Sequence, residues 1–151
     1  MANDTILTRL QSYHDDIISR IAASVAVIEA DNLSSLSTLS ARRWQMVRLL
    51  REYQIFKHSR IFDPAIAKGS PSEIEAAQEM KINCIAMGNV FTSYVKTWSS
   101  GLITTRWEDY RIAMIEMSTL LMRHVKSERH NVEGFLLVLP ALSNSRRRSN
   151  L

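Results

Sequence analysis

His14, His58, His124 and Glu128 are the residues of this chain whose types and spacing could do chemistry. A single offset lays the second half of the sequence on the first, carrying His58 onto His124, His14 onto Met80 and Phe62 onto Glu128. Residues four apart on a helix lie one above the other, so His124 and Glu128 can aim an imidazole and a carboxylate at the same point. His58 and Phe62 repeat that spacing with the carboxylate gone. His14 shares a stripe with Leu10, Ile17 and Ile21, which places its ring inside a helical core rather than in water. Two imidazoles and a carboxylate with an open position would suit one divalent ion, iron or zinc. In the other arrangement the histidines pair with Glu128 and one another, and the ring of Phe62 fills the space of an ion. Buried imidazoles and carboxylates are tolerated when paired or metal-bound, and both arrangements meet that requirement.

The elements that must position these groups are helices. Only four glycines and three prolines occur, and almost all sit where an apolar pattern stops. A first helix is expected from about Asp4 to Ala30, with Ile6, Leu10, Ile17, Ile21, Val25 and Ile28 on one face and Asp31-Asn32 as its break. A second should begin after the serine-rich stretch from Ser34 to Ser40, with Val47, Leu50, Ile55, His58, Ile61 and Phe62 inward. Pro64 disfavours helical geometry at Asp63, so that helix is expected to end or kink there. Ser70, Pro71 and Glu73 form a capping box that opens a third helix carrying Ile74, Ala77, Met80, Cys84, Met87, Gly88, Phe91 and Val95. Thr105 and Glu108 read as a second capping box, opening a fourth helix with Tyr110, Ala113, Met117, Leu120, Leu121, His124 and Glu128 inward. Gly134 reads as its terminator. The apolar run from Phe135 to Leu139 should fold back as a short closing helix. Short connections between long amphipathic helices imply an all-α, antiparallel up-down-up-down four-helix bundle over residues 1–142.

With these motifs in place, the chain resembles the hemerythrin-like (HHE cation-binding) family, whose bundles hold a non-haem di-iron centre. The residues that carry the resemblance are His14, then His58-Ser59-Arg60-Ile61-Phe62, then Met80-Lys81-Ile82-Asn83-Cys84, then His124-Val125-Lys126-Ser127-Glu128. It extends over about Thr5 to Leu139. The departures fall at the chemistry: Phe62 replaces a carboxylate that bridges the irons in the family, and Met80 and Cys84 stand where the third helix would supply histidine. The resemblance therefore implies a degenerate ligand set. One metal position keeps His14, His58 and Glu128, the other little beyond His124 and the shared carboxylate, so a di-iron oxygen carrier is not expected. Either no metal or one divalent ion remains.

The rest of the sequence argues against most enzyme classes. It has no Gly-rich phosphate loop, no His-Glu-x-x-His motif and no serine in a nucleophile elbow. Asp15, Asp16 and Asp63 read as solvated or helix-end charges, and His130 turns away from the inner face. Met80 and Cys84 read as core fillers, and the single cysteine cannot form an internal bridge. The net charge of +4 belongs mainly to Arg146, Arg147 and Arg148 in a polar tail, 143–151, that is too hydrophilic to pack. Without a second basic stripe or interleaved aromatics, that tail is a weak argument for nucleic acid. No apolar run approaches the ~18 residues of a membrane span, and no secretory signal opens the chain, so a cytoplasmic protein without membrane insertion is expected. Trp44, Trp98, Trp107 and seven methionines leave room for a homo-oligomer. The function expected from these features is a non-enzymatic regulatory or sensing module with a protein partner and a partly lost metal site. The alternative is a mononuclear iron or zinc protein that binds oxygen, nitric oxide or peroxide.

Overall fold

The computed structural model describes residues 2–30, 36–99 and 101–139. The fold is all-α, and no strand occurs among the described residues. The break expected at Asp31-Asn32 and the tail 143–151 lie outside them.

Helix α1 (Ala2–Glu29) follows its apolar stripe: Leu10, His14, Ile17, Ile21 and Ile28 are all buried, at spacings of three, four and seven residues that keep one face. It packs on the last long helix and on α2 (Leu36–Lys57), which begins within the serine-rich stretch rather than after it. Past Lys57 the chain widens into a π turn, His58–Phe62, and continues as α3 (Asp63–Lys68). Lys57, Phe62 and Asp63 all keep right-handed helical backbone, so the helix expected to end or kink before Pro64 runs through it. Proline inside a helix lacks an N–H and crowds the carbonyl four residues back. Here the turn before it is already opened by one residue, with the Asp63 N–H reaching the carbonyl of His58, so Pro64 falls in the first turn of a new α segment.

Helix α4 (Pro71–Thr97) starts at the expected capping box. The Glu73 amide donates to Ser70 Oγ at 3.3 Å, and the Ser70 amide donates to Glu73 Oε1 at 2.7 Å. Gly101 has a φ of 83°, the left-handed region that glycine enters without Cβ strain. It opens a single turn, α5 (Leu102–Thr105), ahead of α6 (Trp107–Val138).

Two boundary expectations at α6 are corrected. Thr105 closes α5, with its hydroxyl on the Leu102 carbonyl, and Arg106 flanks α6 without a side-chain cap. Glu108 pairs with Arg111 at 2.8 Å instead of reaching back. Gly134 does not stop the helix, and residues 135–138 are its last turn, not a separate closing element. Phe135, Leu136 and Leu139 still reach the core while Leu137 and Val138 face out, so the continued helix buries one face of the run without a reversal. The helix ends at Leu139, in extended geometry, as a residue preceding proline should.

The core has two parts. The larger gathers Leu10, Ile17, Tyr53, Phe56, Ile61, Phe62, Phe91, Leu121 and Val125 around the polar groups described below. The smaller closes one end with Ile28, Leu39, Trp98, Ile103, Tyr110 and Met114. No helix among the described residues is long and apolar enough to cross a membrane.

A Cβ built at Gly134 meets nothing within 4 Å. Gly134→Ala should therefore stabilise the protein by about 0.5–1 kcal/mol, the usual difference between these residues inside an exposed helix, read as a rise in the urea midpoint at unchanged slope.

Candidate functional site

The polar residues of the core are held by α1, α2, α4 and α6. His14 is fully buried on α1, Tyr53 and Lys57 lie one helical turn apart at the end of α2, Cys84 sits mid-way along α4, and Glu128 projects from α6. Lys57 is 2 % exposed, and its Nζ donates to Glu128 Oε2 at 2.7 Å. The same nitrogen lies 3.1 Å from Cys84 Sγ and 3.9 Å from the centroid of the Tyr53 ring. An ammonium has three N–H groups, and here they have three takers: a carboxylate, a sulfur and an aromatic face.

Tyr53 carries the network to α1. Its hydroxyl donates to Glu128 Oε1 at 2.6 Å, and His14 Nε2 lies 2.6 Å from the Tyr53 hydroxyl oxygen. A phenol has one proton; with that proton on the carboxylate side, His14 must be the donor in the second bond. His14 is then a neutral imidazole with hydrogen on Nε2, and its buried Nδ1 has no hydrogen-bond partner among the described residues. Proton donation thus runs from His14 through Tyr53 to Glu128, and from Lys57 to Glu128 on the other side.

The protonation states follow from this geometry. Burial lowers the His14 pKa to about 4, against some opposition from the charge of Glu128. Burial alone would raise the Glu128 carboxyl, but His124, Lys57 and Tyr53 outweigh it and hold the group down to about 2. The His124 nitrogen is 3.6 Å away, beyond hydrogen-bond length, so the strong contacts are those of Lys57 and Tyr53. Burial and the charge of Glu128 push the Tyr53 phenol well above its ordinary value. Burial also raises the Cys84 thiol, with Lys57 pulling the other way.

The four sequence candidates therefore have different fates. His14 and Glu128 meet through Tyr53, and His124, its side chain 23 % exposed, flanks Glu128 from the solvent side. His58 lies at the entrance to the π turn against the ring of Phe62, at 5.5 Å between centroids, and its buried Nε2 has no partner among the described residues. Burial, then Lys81 and Lys57, lower its pKa. Phe62 is buried as expected, but the place against the Glu128 carboxylate is taken by Lys57. Among the described residues no three His, Cys, Asp or Glu side chains are grouped as a metal ion needs. With Tyr53 on His14 and an ammonium on Glu128, the residues do not fit a cation in this arrangement.

Periodicity missed Lys57 and Tyr53. It placed Ile55 and His58 inward, whereas Ile55 is 60 % exposed and the buried face is Met46, Tyr53, Phe56 and Lys57. The available signal was that Lys57 falls one turn after Tyr53, on the same face.

Beside the network lies a cavity of about 280 Å³, with Tyr53, Lys57, Cys84, His124 and Glu128 as its polar wall and Leu50, Met87, Phe91 and Leu121 as its apolar one. A second cavity, of about 350 Å³, also lies between α4 and α6 and reaches His124 and Glu128 past Met80 and Asn131. Asp15 and Asp16 pair with Arg129 and Arg20 at the surface, and His130 is exposed. Comparison with known protein families, curated proteins and solved structures returns no match.

Removing one partner of the ion pair leaves a charge stranded in the core, so Lys57→Met or Glu128→Leu alone should cost about 3–5 kcal/mol in urea denaturation. The double variant should recover most of that loss, because Tyr53 can turn its proton to His14 once the imidazole shifts its own proton to Nδ1. Equal loss in the double and single variants would show that the ion pair is not the coupling element.

The pH dependence has a definite sign. His14 binds its proton near 6.5 when unfolded and near 4 when folded, so its contribution is full above pH 6.5 and disappears as pH falls toward 4. Glu128, at about 2 folded against 4.5 unfolded, loses its contribution between those values. Stability should thus be flat near neutrality and fall in two stages on acidification. His14→Gln should shrink the upper stage by on the order of 3 kcal/mol, at about 1.4 kcal/mol per pKa unit, leaving the smaller part that His58 contributes and the lower stage.

Proposed function

We propose that this protein is a non-enzymatic regulatory or sensing module, an antiparallel up-down-up-down helical bundle of hemerythrin-like design in which a lysine ammonium has taken the place of the metal cation. The observation that carries this reading is the buried contact of Lys57 Nζ with Glu128 Oε2 at 2.7 Å. A carboxylate in an apolar core needs a positive partner, and a tethered ammonium supplies one that neither exchanges nor changes oxidation state. The four long helical runs and the short turn at Gly69-Ser70 support the bundle, as does the packing of α1 on α2 and α6 and of α4 on α6.

A regulatory role suits the protonation of the core. Burial favours the protonated forms of Tyr53 and Cys84, so neither is set up for the rapid nucleophilic turnover an enzyme needs. The partner would be another protein, met at exposed apolar groups on α4 and α6, where Ile82, Ile85, Val90 and Leu120 stand out from the surface.

Metal content decides between this reading and a mononuclear iron or zinc protein. Untagged protein from iron-supplemented medium should contain only trace metal, and Lys57→Ala, which frees Glu128 and Cys84, should take up zinc in a titration that wild type does not show. Near-stoichiometric metal in wild type, lost in Glu128→Ala and His124→Ala, would overturn the reading in favour of the metalloprotein.

A further inference from the structure

We propose that Cys84 and Lys57 form a peroxide-responsive covalent switch, in which Cys84 is oxidised to its sulfenic acid and Lys57 Nζ then closes onto the sulfur. The proposal deepens the sensing reading by naming its signal, and its biological role rests on that reading; the chemistry itself rests on geometry alone.

Four features of the core converge on this reaction. The two reacting atoms are already in contact, Nζ to Sγ at 3.1 Å, with both side chains buried and carried on different helices. Cys84 is the single cysteine of the chain, so no second thiol can resolve an oxidised sulfur within it. A sulfenic acid that meets no thiol can condense with nitrogen, as it does with a backbone nitrogen to give a sulfenamide, and the Lys57 amine is the nitrogen in contact with Cys84 here. Glu128 Oε2, 2.7 Å from Nζ, is placed to receive the proton the ammonium must lose. Finally, the cavity of about 280 Å³ is walled by Lys57, Cys84, His124 and Glu128 together, and gives a molecule the size of hydrogen peroxide a place beside the sulfur.

The steps balance. In the first, the thiol sulfur takes one oxygen from hydrogen peroxide as the O–O bond breaks; sulfur is oxidised by two electrons, peroxide is reduced, and one water leaves. In the second, the ammonium gives one proton to the Glu128 carboxylate, and the nitrogen lone pair attacks Sγ. The S–O bond breaks, and the departing hydroxyl takes a second hydrogen from nitrogen and leaves as water. The product is an S–N bond with one hydrogen remaining on nitrogen. A thiol reductant reopens it, restoring Cys84 and the amine.

The consequence reaches beyond the two residues. Closure replaces a buried ion pair by a neutral S–N link and a protonated Glu128, and ties the end of α2 to the middle of α4. The π turn that follows Lys57 directly is where a change of helical register can be absorbed. Because burial keeps Cys84 a thiol, the first step is slow, and the device answers sustained peroxide rather than a brief pulse.

The test is peptide mass spectrometry on the full-length protein after hydrogen peroxide treatment at neutral pH and alkylation of free thiol. The expected result is a Lys57 peptide joined to the Cys84 peptide with two hydrogens fewer than their sum, missing tryptic cleavage after Lys57, and returning to the separate peptides with dithiothreitol. Cys84→Ser should abolish the link, Lys57→Arg should abolish it while keeping a positive charge against Glu128, and Glu128→Gln should slow it at least tenfold. If Lys57→Arg does not fold, the joined peptide in wild type still carries the result. Cys84 advancing to sulfinic or sulfonic acid with Lys57 still cleaved by trypsin would overturn the proposal, and so would capture of the sulfenic acid by an added thiol with no joined peptide. Metal content is read on untreated protein, so failure here and failure of the metal-free reading are separate results.

Discussion

The interaction on which the rest of the core depends is the buried pair of Lys57 and Glu128. Two opposite charges this deep cost several kcal/mol each in lost hydration, and their mutual attraction offsets that only where every remaining donor and acceptor is also engaged. That condition explains the neighbouring residues. Glu128 accepts from Lys57 on one oxygen and from Tyr53 on the other, while Lys57 spends its other N–H groups on Cys84 and on the face of Tyr53. His14 is the far end of the same chain: it must be a neutral donor, and its burial keeps it one. Any one of these groups is explicable only through the others.

The pair also governs how α2 is built. Lys57 faces inward immediately before the π turn, and Phe62, at the end of that turn, is buried again. One extra residue per turn lets the helix present Tyr53, Phe56 and Lys57 to the core above the turn, and Ile61, Phe62 and Ala65 below it, without breaking. It also relieves the approach to Pro64. His58 bears the cost of this arrangement, with a ring nitrogen buried without a partner among the described residues, a penalty of roughly 1–3 kcal/mol. The unsatisfied group and the irregular turn therefore occur together, next to the buried ammonium of Lys57.

How much of this could be read in the sequence depends on whether the deciding partner is local. The stripe of α1 and the capping box at Ser70 and Glu73 are local patterns, and both stand as read. The inward face of α2 is not local. An isoleucine at position 55 and a lysine at 57 suggest the wrong faces, because what makes Lys57 tolerable inside is Glu128, 71 residues away. A π turn is equally silent, since one added residue shifts the register without altering composition. Gly134 misled for a related reason: glycine ends a helix only when the residues beyond it gain by turning away, and Phe135, Leu136 and Leu139 gain by staying. His14, His124 and Glu128 were legible as members of one polar core, but the groups that connect them, a phenol and an ammonium, are not residue types that a search for metal ligands considers.

A cation supplied by the chain itself differs from a bound ion in what it permits. A metal draws its ligands inward along several directions at once. An ammonium makes three directed contacts and tolerates apolar walls elsewhere, so Phe62 can be buried and Met80 can be half-buried at the rim of a cavity without leaving a charge unmet. The apolar residues at these two places are thus compatible with the lysine one turn beyond Tyr53, whose charge is met by Glu128. The same tether that keeps the cation from exchanging also holds its nitrogen against Cys84, which puts the one thiol of the chain beside the one buried amine among the described residues.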